Sequence, residues 1–392
     1  MERAGELLDA ARAQTGLEDF GDDSFREGLA ILVGALQDEA HLSPIGEFAL
    51  PAMITGLLSQ RLQIEDWYRR YPEIEDEPLV APLIGLSLPR TGSTALSALL
   101  AEDPCARSLR TYEAVEPCPP PSTVVGLDPR ITRAEEADVQ QQAMTPRAKA
   151  LVPSTPRGPQ ECQMLMGLDF KTHVFQAFAY MPSYSDWLLA DADLSSTYRY
   201  ERRALKLLQW GEPRRPWILK CPSHLLFIDQ LDQVFPDARY VMTHRDPTEV
   251  MVSVADLYEV MYSQFSLDSD PLYLGALNVE HWSVGMERTL AFRDRGNDAR
   301  FYDIGFEAMQ TQPIDEVRGL YAWLGQPISP AFEQGMDEWW HSFAEGREAN
   351  VHPDPARFGL DLEAIRPKFA DYNSRIPGWL DHHAPQRKRV GP

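Results

Sequence analysis

Two short stretches of the chain carry the residue types that grip phosphate-like anions. The first, Leu88 to Thr94, reads LPRTGST and lies between the apolar run APLIGLSL and a run with helical spacing, TALSALL. Gly92 permits a tight turn, and the N–H groups after it, at a helix N-terminus, form an anion cradle. Ser93 and Thr94 add hydroxyl donors, and Arg90 adds a cation. Taken alone, the loop could equally be a strand–helix turn with Ser/Thr capping. The second stretch, HRDPTEVMVS, follows the strand-like YVMT and opens another helical run. Its Arg245 and Ser253 are spaced so that an arginine on a loop and a serine two helical turns on can converge on one phosphate. Otherwise Arg245–Asp246 is a surface pair and Ser253 an ordinary helix residue.

The first loop is not the nucleotide-triphosphatase loop, which needs a Gly, four residues, then Gly-Lys-Ser/Thr. Here Gly92 is followed directly by Ser93, no Lys intervenes, and Ser87 stands where the first Gly belongs. No acidic magnesium site is evident beside it. A loop that grips phosphate without metal suits a phosphosulfate better than ATP.

On these residues the chain resembles the sulfotransferase superfamily that uses 3'-phosphoadenosine 5'-phosphosulfate (PAPS). Pro89, Arg90, Thr91, Gly92, Ser93 and Thr94 are similar to that family's 5'-phosphosulfate loop, in the Arg form of tyrosylprotein and many bacterial members. Arg245 and Ser253 match its 3'-phosphate pair, with Glu249, Val250 and Val252 in register. The resemblance implies PAPS as donor, 3'-phosphoadenosine 5'-phosphate (PAP) as product, no metal, and a hydroxyl on a small molecule as acceptor.

Sulfuryl transfer also needs a base for the acceptor hydroxyl and cations for the charge on the departing oxygens. Arg90 is one cation, and Lys220, at the end of WILK, is the family's second. Glu113, in LRTYE, is the expected base, placed like the catalytic Glu of tyrosylprotein and several bacterial members. His224 is its rival, two residues later than the family's histidine. Structurally, Glu113 could be a helix N-terminal charge or a partner for Arg110, and His224 could cap the helix after Pro222. LQWG and FGLD resemble a long bacterial subgroup, but the family's basic stretch before FGLD is reduced to GREANVHPDPAR, leaving Arg347 as its remnant on the 3'-phosphate. Phe306 takes an aromatic position, near adenine or in the core.

These residues need a scaffold. Strand-then-helix patterns recur at 217–231, 238–258 and 299–309, as at the first loop. They predict an α/β fold: a P-loop-like parallel β-sheet flanked by helices, with ligands at the strand C-termini. Residues 1–77 read as an N-terminal helical region packing on the core, and 78–375 as the α/β domain. Within it, 111–210 is a helical insertion forming an acceptor pocket or lid, and 376–392 is a loose tail. Met, Phe and Tyr around 164–187 fit an apolar pocket for a phenol, sterol or lipid alcohol, or plain core. Trp339, Trp340 and Phe343 read as a core-facing helix surface.

Composition narrows the partners. A net charge of -22 over 392 residues argues against nucleic acid and anionic membranes. Four widely spaced cysteines suit reduced, buried thiols, the histidines lack metal-site spacing, and no apolar run could span a membrane. These features point to a cytoplasmic enzyme, with a homodimer as one option. Two other functions remain open: a metal-dependent kinase or NTPase of similar fold, and a non-catalytic PAP-binding protein.

Overall fold

Short apolar runs assemble the sheet that these motifs require. The computed structural model describes residues 3–345 and 353–388. Its strands are β1 (Leu83–Gly85), β2 (Arg107–Ser108), β3 (Trp217–Lys220), β4 (Arg239–His244) and β5 (Phe301–Gly305), standing in the order β2-β3-β1-β4-β5. Every pairing is parallel, with Gly85 opposite both Lys220 and Val241, and His244 opposite Gly305. β1 and β3 are buried throughout and β4 from its second residue on, as expected for a parallel sheet. Because β1 and β4 are neighbours in space but distant in sequence, the loops leaving their C-terminal ends emerge side by side. Open α/β sheets bind ligands at such a crevice.

The chain divides into two compact units. The sheet unit comprises Val80–Ser108, Arg215–Asp256 and Pro271–Pro392 and holds all five strands. Its core joins Leu83, Leu96 and Leu99 to Tyr302, Ile304 and Phe332, and Trp339, Trp340 and Phe343 pack on it half-buried, as their spacing predicts.

The helical unit comprises Met1–Leu79, Leu109–Arg214 and Leu257–Asp270. The N-terminal pattern becomes three helices, Ala4–Thr15, Phe25–Asp38 and Pro44–Arg70. Ser43 caps the last of them, its hydroxyl accepting from the Gly46 N–H at 3.1 Å. The middle segment adds Pro129–Met144, Pro182–Ala190 and Ser195–Gln209.

One expectation is corrected. The segment from 376, read as a loose tail, continues the helix Ala370–Lys388. His383 is buried, and Trp379 lies 3.8 Å over the Arg293 guanidinium. These anchors hold a helix that its prolines, read in isolation, would end. No helix among the described residues is long and apolar enough to cross a membrane.

Candidate anion-binding site

The loop after β1 is held by hydroxyls. The Thr91 Oγ1 donates to the Leu88 carbonyl at 2.8 Å and lies 2.6 Å from the Thr243 Oγ1 on β4. The Ser87 hydroxyl accepts the Thr243 backbone N–H at 2.8 Å. So secured, the backbone takes two left-handed turns, at Arg90 (φ 64°) and Gly92 (φ 91°). For a non-glycine residue such as Arg90 that conformation costs on the order of 1–3 kcal/mol, a strain that characteristically sits at functional sites. The helix Ser93–Leu100 follows at once, directing its first N–H groups back at the loop.

Arg90 and Arg245 meet here. The Arg90 Nε donates to the Ser253 hydroxyl at 3.1 Å, and the Arg245 Nη1 donates to the Arg90 carbonyl at 3.1 Å. Burial and the facing Arg245 charge lower the Arg90 pKa, with Asp256 opposing them in part. Arg245 also pairs with Glu249 at 2.9 Å and lies 4.5 Å over the Phe306 ring. Phe306 therefore packs on the guanidinium and beside Gly92 rather than in the core interior. Two cations close together and partly desolvated, with a serine hydroxyl between elements, form a place that an anion stabilises.

Lys220 ends β3, buried, with its stem along Gly85. A Cβ at Gly85 would sit 3.1 Å from the Lys220 Cγ, so glycine leaves that stem its path. Gly85, Ser87, Ser93, Lys220 and Thr243 line one small cavity, which brings the lysine to the loop. Pro89 is buried and Thr94 exposed at the helix start.

Of the remaining predicted residues, two are described and one is not. His224 is fully buried in the turn Pro222–Phe227, and burial pushes its pKa down to about 3. Glu113 belongs to the helical unit, in the short helix Thr111–Val115 that follows β2. There its carboxylate is buried and accepts the Arg110 backbone N–H at 3.2 Å, the helix-terminal role that its position also allowed. Arg347 lies outside the described residues.

Sequence reasoning missed the hydroxyl chain of Ser87, Thr91 and Thr243, because its members come from distant segments. The available signal was the polar Thr243 after the apolar run Tyr240-Val241-Met242 of β4.

Comparison with known proteins gives this architecture its family. The model of the sulfotransferase family matches residues 82–330, and the chain belongs to that family. It is similar to the solved sulfotransferase STF9 from Mycobacterium avium, with 33% identity and a TM-score of 0.87, covering 95% of this chain and 96% of that one. It also resembles the sulfotransferase STF1 from Mycobacterium tuberculosis H37Rv, at 30% identity and a TM-score of 0.83, covering 94% of this chain and 99% of that one. Among curated proteins it matches the omega-hydroxy-beta-dihydromenaquinone-9 sulfotransferase Stf3 of Mycobacterium bovis and of Mycobacterium tuberculosis, at 32% identity. That match spans 29% of this chain and 29% of the relative.

Proposed function

We propose that the chain transfers a sulfuryl group from PAPS to a hydroxyl on a small acceptor. The observation that carries this reading is the convergence of Arg90, Arg245 and Ser253 beside a strained helix-initiating loop, with Lys220 lining the same small cavity as that loop. PAPS supplies the sulfuryl group together with two separated phosphate ends, and the residues present fit it.

In this reading Arg90, Thr91, Gly92, Ser93 and Thr94 hold the 5'-phosphosulfate, with Pro89 setting the turn. Arg245 and Ser253 hold the 3'-phosphate. Lys220 and Arg90 neutralise charge on the departing phosphate oxygen as the acceptor oxygen bonds to sulfur. Glu113 takes the acceptor proton. It is favoured over His224, because an imidazole with a pKa near 3 is a weak proton acceptor at neutral pH. The acceptor is a lipid-like alcohol, held by the 111–210 segment. The name of the Stf3 relative, an omega-hydroxylated menaquinone sulfotransferase, supports that class.

The test incubates purified protein with PAPS and a phenol, a sterol or a long-chain alcohol, and follows sulfated product and PAP by mass spectrometry. Sulfation of the long-chain alcohol is expected. PAPS bound but never turned over with any acceptor, or ATP–Mg bound in preference to PAP, defeats the proposal. In the same assay Glu113→Gln should lower kcat by about 10²- to 10⁴-fold. Its carbonyl oxygen still accepts the Arg110 N–H, so unfolding stability should move little.

A further inference from the structure

One residue of the central strand is small where a buried sheet calls for bulk. Gly85 ends β1 and pairs in register with Lys220 on β3 and Val241 on β4. Residues in register on neighbouring strands share a face of the sheet. Two residues back, Leu83 and Ile218 form the preceding row, and they share a core with Val241 and with Leu96 and Leu100 of the helix Ser93–Leu100. Two residues on, the Ser87 hydroxyl accepts the Thr243 backbone N–H at 2.8 Å. The face thus changes from apolar rows to hydroxyls along the strands, and Lys220 stands at the change.

A glycine weakens a buried strand, through chain entropy and lost packing, and so needs a reason. Backbone conformation supplies none, because Gly85 does not take a positive φ, unlike Gly92 on the loop that follows. Space does. A Cβ at Gly85 would stand 3.1 Å from the Lys220 Cγ and 3.4 Å from its Cβ. The first distance is tighter than ordinary van der Waals contact, so the lysine stem would have to give by a few tenths of an ångström. Lys220 is buried, in an interior packed too closely to absorb such a shift freely. The lysine stem takes the room that a β1 side chain would fill.

That room opens on the anion loop. Gly85, Ser87, Ser93, Ser97, Lys220 and Thr243 line one cavity beside the helix Ser93–Leu100. A lysine carries a point charge on a flexible four-carbon stem, so the place of its ammonium depends on the path given to that stem. A larger residue at position 85 leaves the charge present but displaced.

We propose that Gly85 is a positioning residue for Lys220, its missing side chain being the slot that aims the ammonium at the 5'-phosphate end of the donor. The inference rests on the reading of Lys220 as a cation on the departing phosphate oxygen, which stays on PAP as part of its 5'-phosphate. It goes beyond that reading by assigning to the site a residue that has no functional group of its own.

Gly85→Ala and Gly85→Val test it, in order of size. Calorimetry compares PAP with adenosine 3'-monophosphate, which lacks the 5'-phosphate. Lys220→Ala sets the scale, since loss of a charged hydrogen-bond donor should weaken PAP about ten- to hundredfold. Gly85→Val should approach that loss, and Gly85→Ala should cost about two- to fivefold. The 3'-monophosphate should bind every variant as it binds wild type. In a Lys220→Ala background neither substitution at 85 should weaken PAP further, because the lysine is what they act through. Gly85→Ala suits the strand backbone and decides the matter should Gly85→Val fail to fold. An equal loss for both nucleotides, or a loss that persists without Lys220, overturns the inference, because a merely structural role does not single out one phosphate. Unchanged PAP affinity in the variants at 85, with Lys220→Ala still impaired, overturns it too and leaves the reading of Lys220 standing. Lys220→Ala that binds PAP like wild type refutes that reading, and the inference with it.

Discussion

Each unit buries an arginine cluster, and the two clusters are built on opposite terms. In the helical unit Arg61 has no solvent exposure, and its nitrogens donate to the carbonyls of Phe20 at 2.7 Å, Asp22 at 2.8 Å and Leu168 at 3.1 Å. The Asp169 carboxylate stands 3.6 Å away, and the Phe25 and Tyr200 rings cover the guanidinium at 4.4 and 3.9 Å. Asp169 is satisfied in turn by the hydroxyls of Ser24, Ser196 and Thr197. In the sheet unit Arg90 faces Arg245, and burial together with that neighbouring charge lowers its pKa. A cation met by carbonyls and a carboxylate is scaffold. Arg90 stands instead between a second cation, itself paired with Glu249 at 2.9 Å, and Asp256, whose charge opposes the shift in part. The comparison teaches that burial of an arginine says little about its use, and that the sign of what surrounds it says much.

The sharpest way to break this comparison is to delete both kinds of arginine. Arg61→Ala leaves Asp169 with Lys171 at 3.5 Å but takes the donor from the buried carbonyls of Phe20, Asp22 and Leu168; at about 1–3 kcal/mol for each buried acceptor left unsatisfied, it should cost about 3–5 kcal/mol in urea unfolding. PAP affinity, measured on whatever folded protein remains, should be near the wild-type value. A small stability loss would mean that Arg61 does not hold these segments together.

Arg245→Ala should behave in the reverse way. It removes charge-assisted hydrogen bonds of about 1.5–3 kcal/mol, so PAP binding should weaken roughly ten- to hundredfold. Unfolding stability should hold or rise slightly, since Arg90 loses a like-charged neighbour. Turnover that survives intact in this variant, or in Lys220→Ala, would show that the arginine pair is ordinary surface chemistry.

The same contrast explains what could be read before folding. The strand–turn–helix at 83–100 was legible because its apolar run, its turn glycine and its helical spacing are all local. The strand end that carries Arg245 and the helix that carries Ser253 were legible for the same reason, but not Arg90, which donates to Ser253 and accepts from Arg245. Sheet order was not, since nothing in WILK or YVMT says which flanks β1. β2 is only two residues long, too short to leave a periodic signal. The C-terminal helix was misread because Pro377 suggests a break, while Tyr372, Trp379 and His383 anchor it through contacts with residues about 80–130 positions away. Arg61 drew no notice either, because its partners come from three separate segments of chain, 20–25, 168–169 and Tyr200.

The smallest effect per step is set by pH, and it should run in opposite directions in the two units. His224 and His281, in the sheet unit, have their pKa values pushed from 6.5 down to about 3 and about 4, by burial in both and by Arg288 in the second. Below pH 6.5 the unfolded chain binds protons that the folded unit refuses. Each histidine therefore costs about 1.4 kcal/mol per pH unit as pH falls from 6.5 towards the folded value. Glu201, in the helical unit, is pushed from 4.5 up to about 7 by burial, against a hydrogen bond with Cys162. Between those values the folded unit keeps a proton that the unfolded chain releases, so this unit loses about 1.4 kcal/mol per unit as pH rises through the window. Pulse proteolysis in urea at pH 5 and pH 7, with cleavage sites mapped by mass spectrometry, separates the two. Acid should increase cleavage through His224 and His281, neutral pH through Glu201, and Glu201→Gln should remove the loss at neutral pH. If Glu201→Gln leaves the pH dependence unchanged, burial of these groups does not control stability.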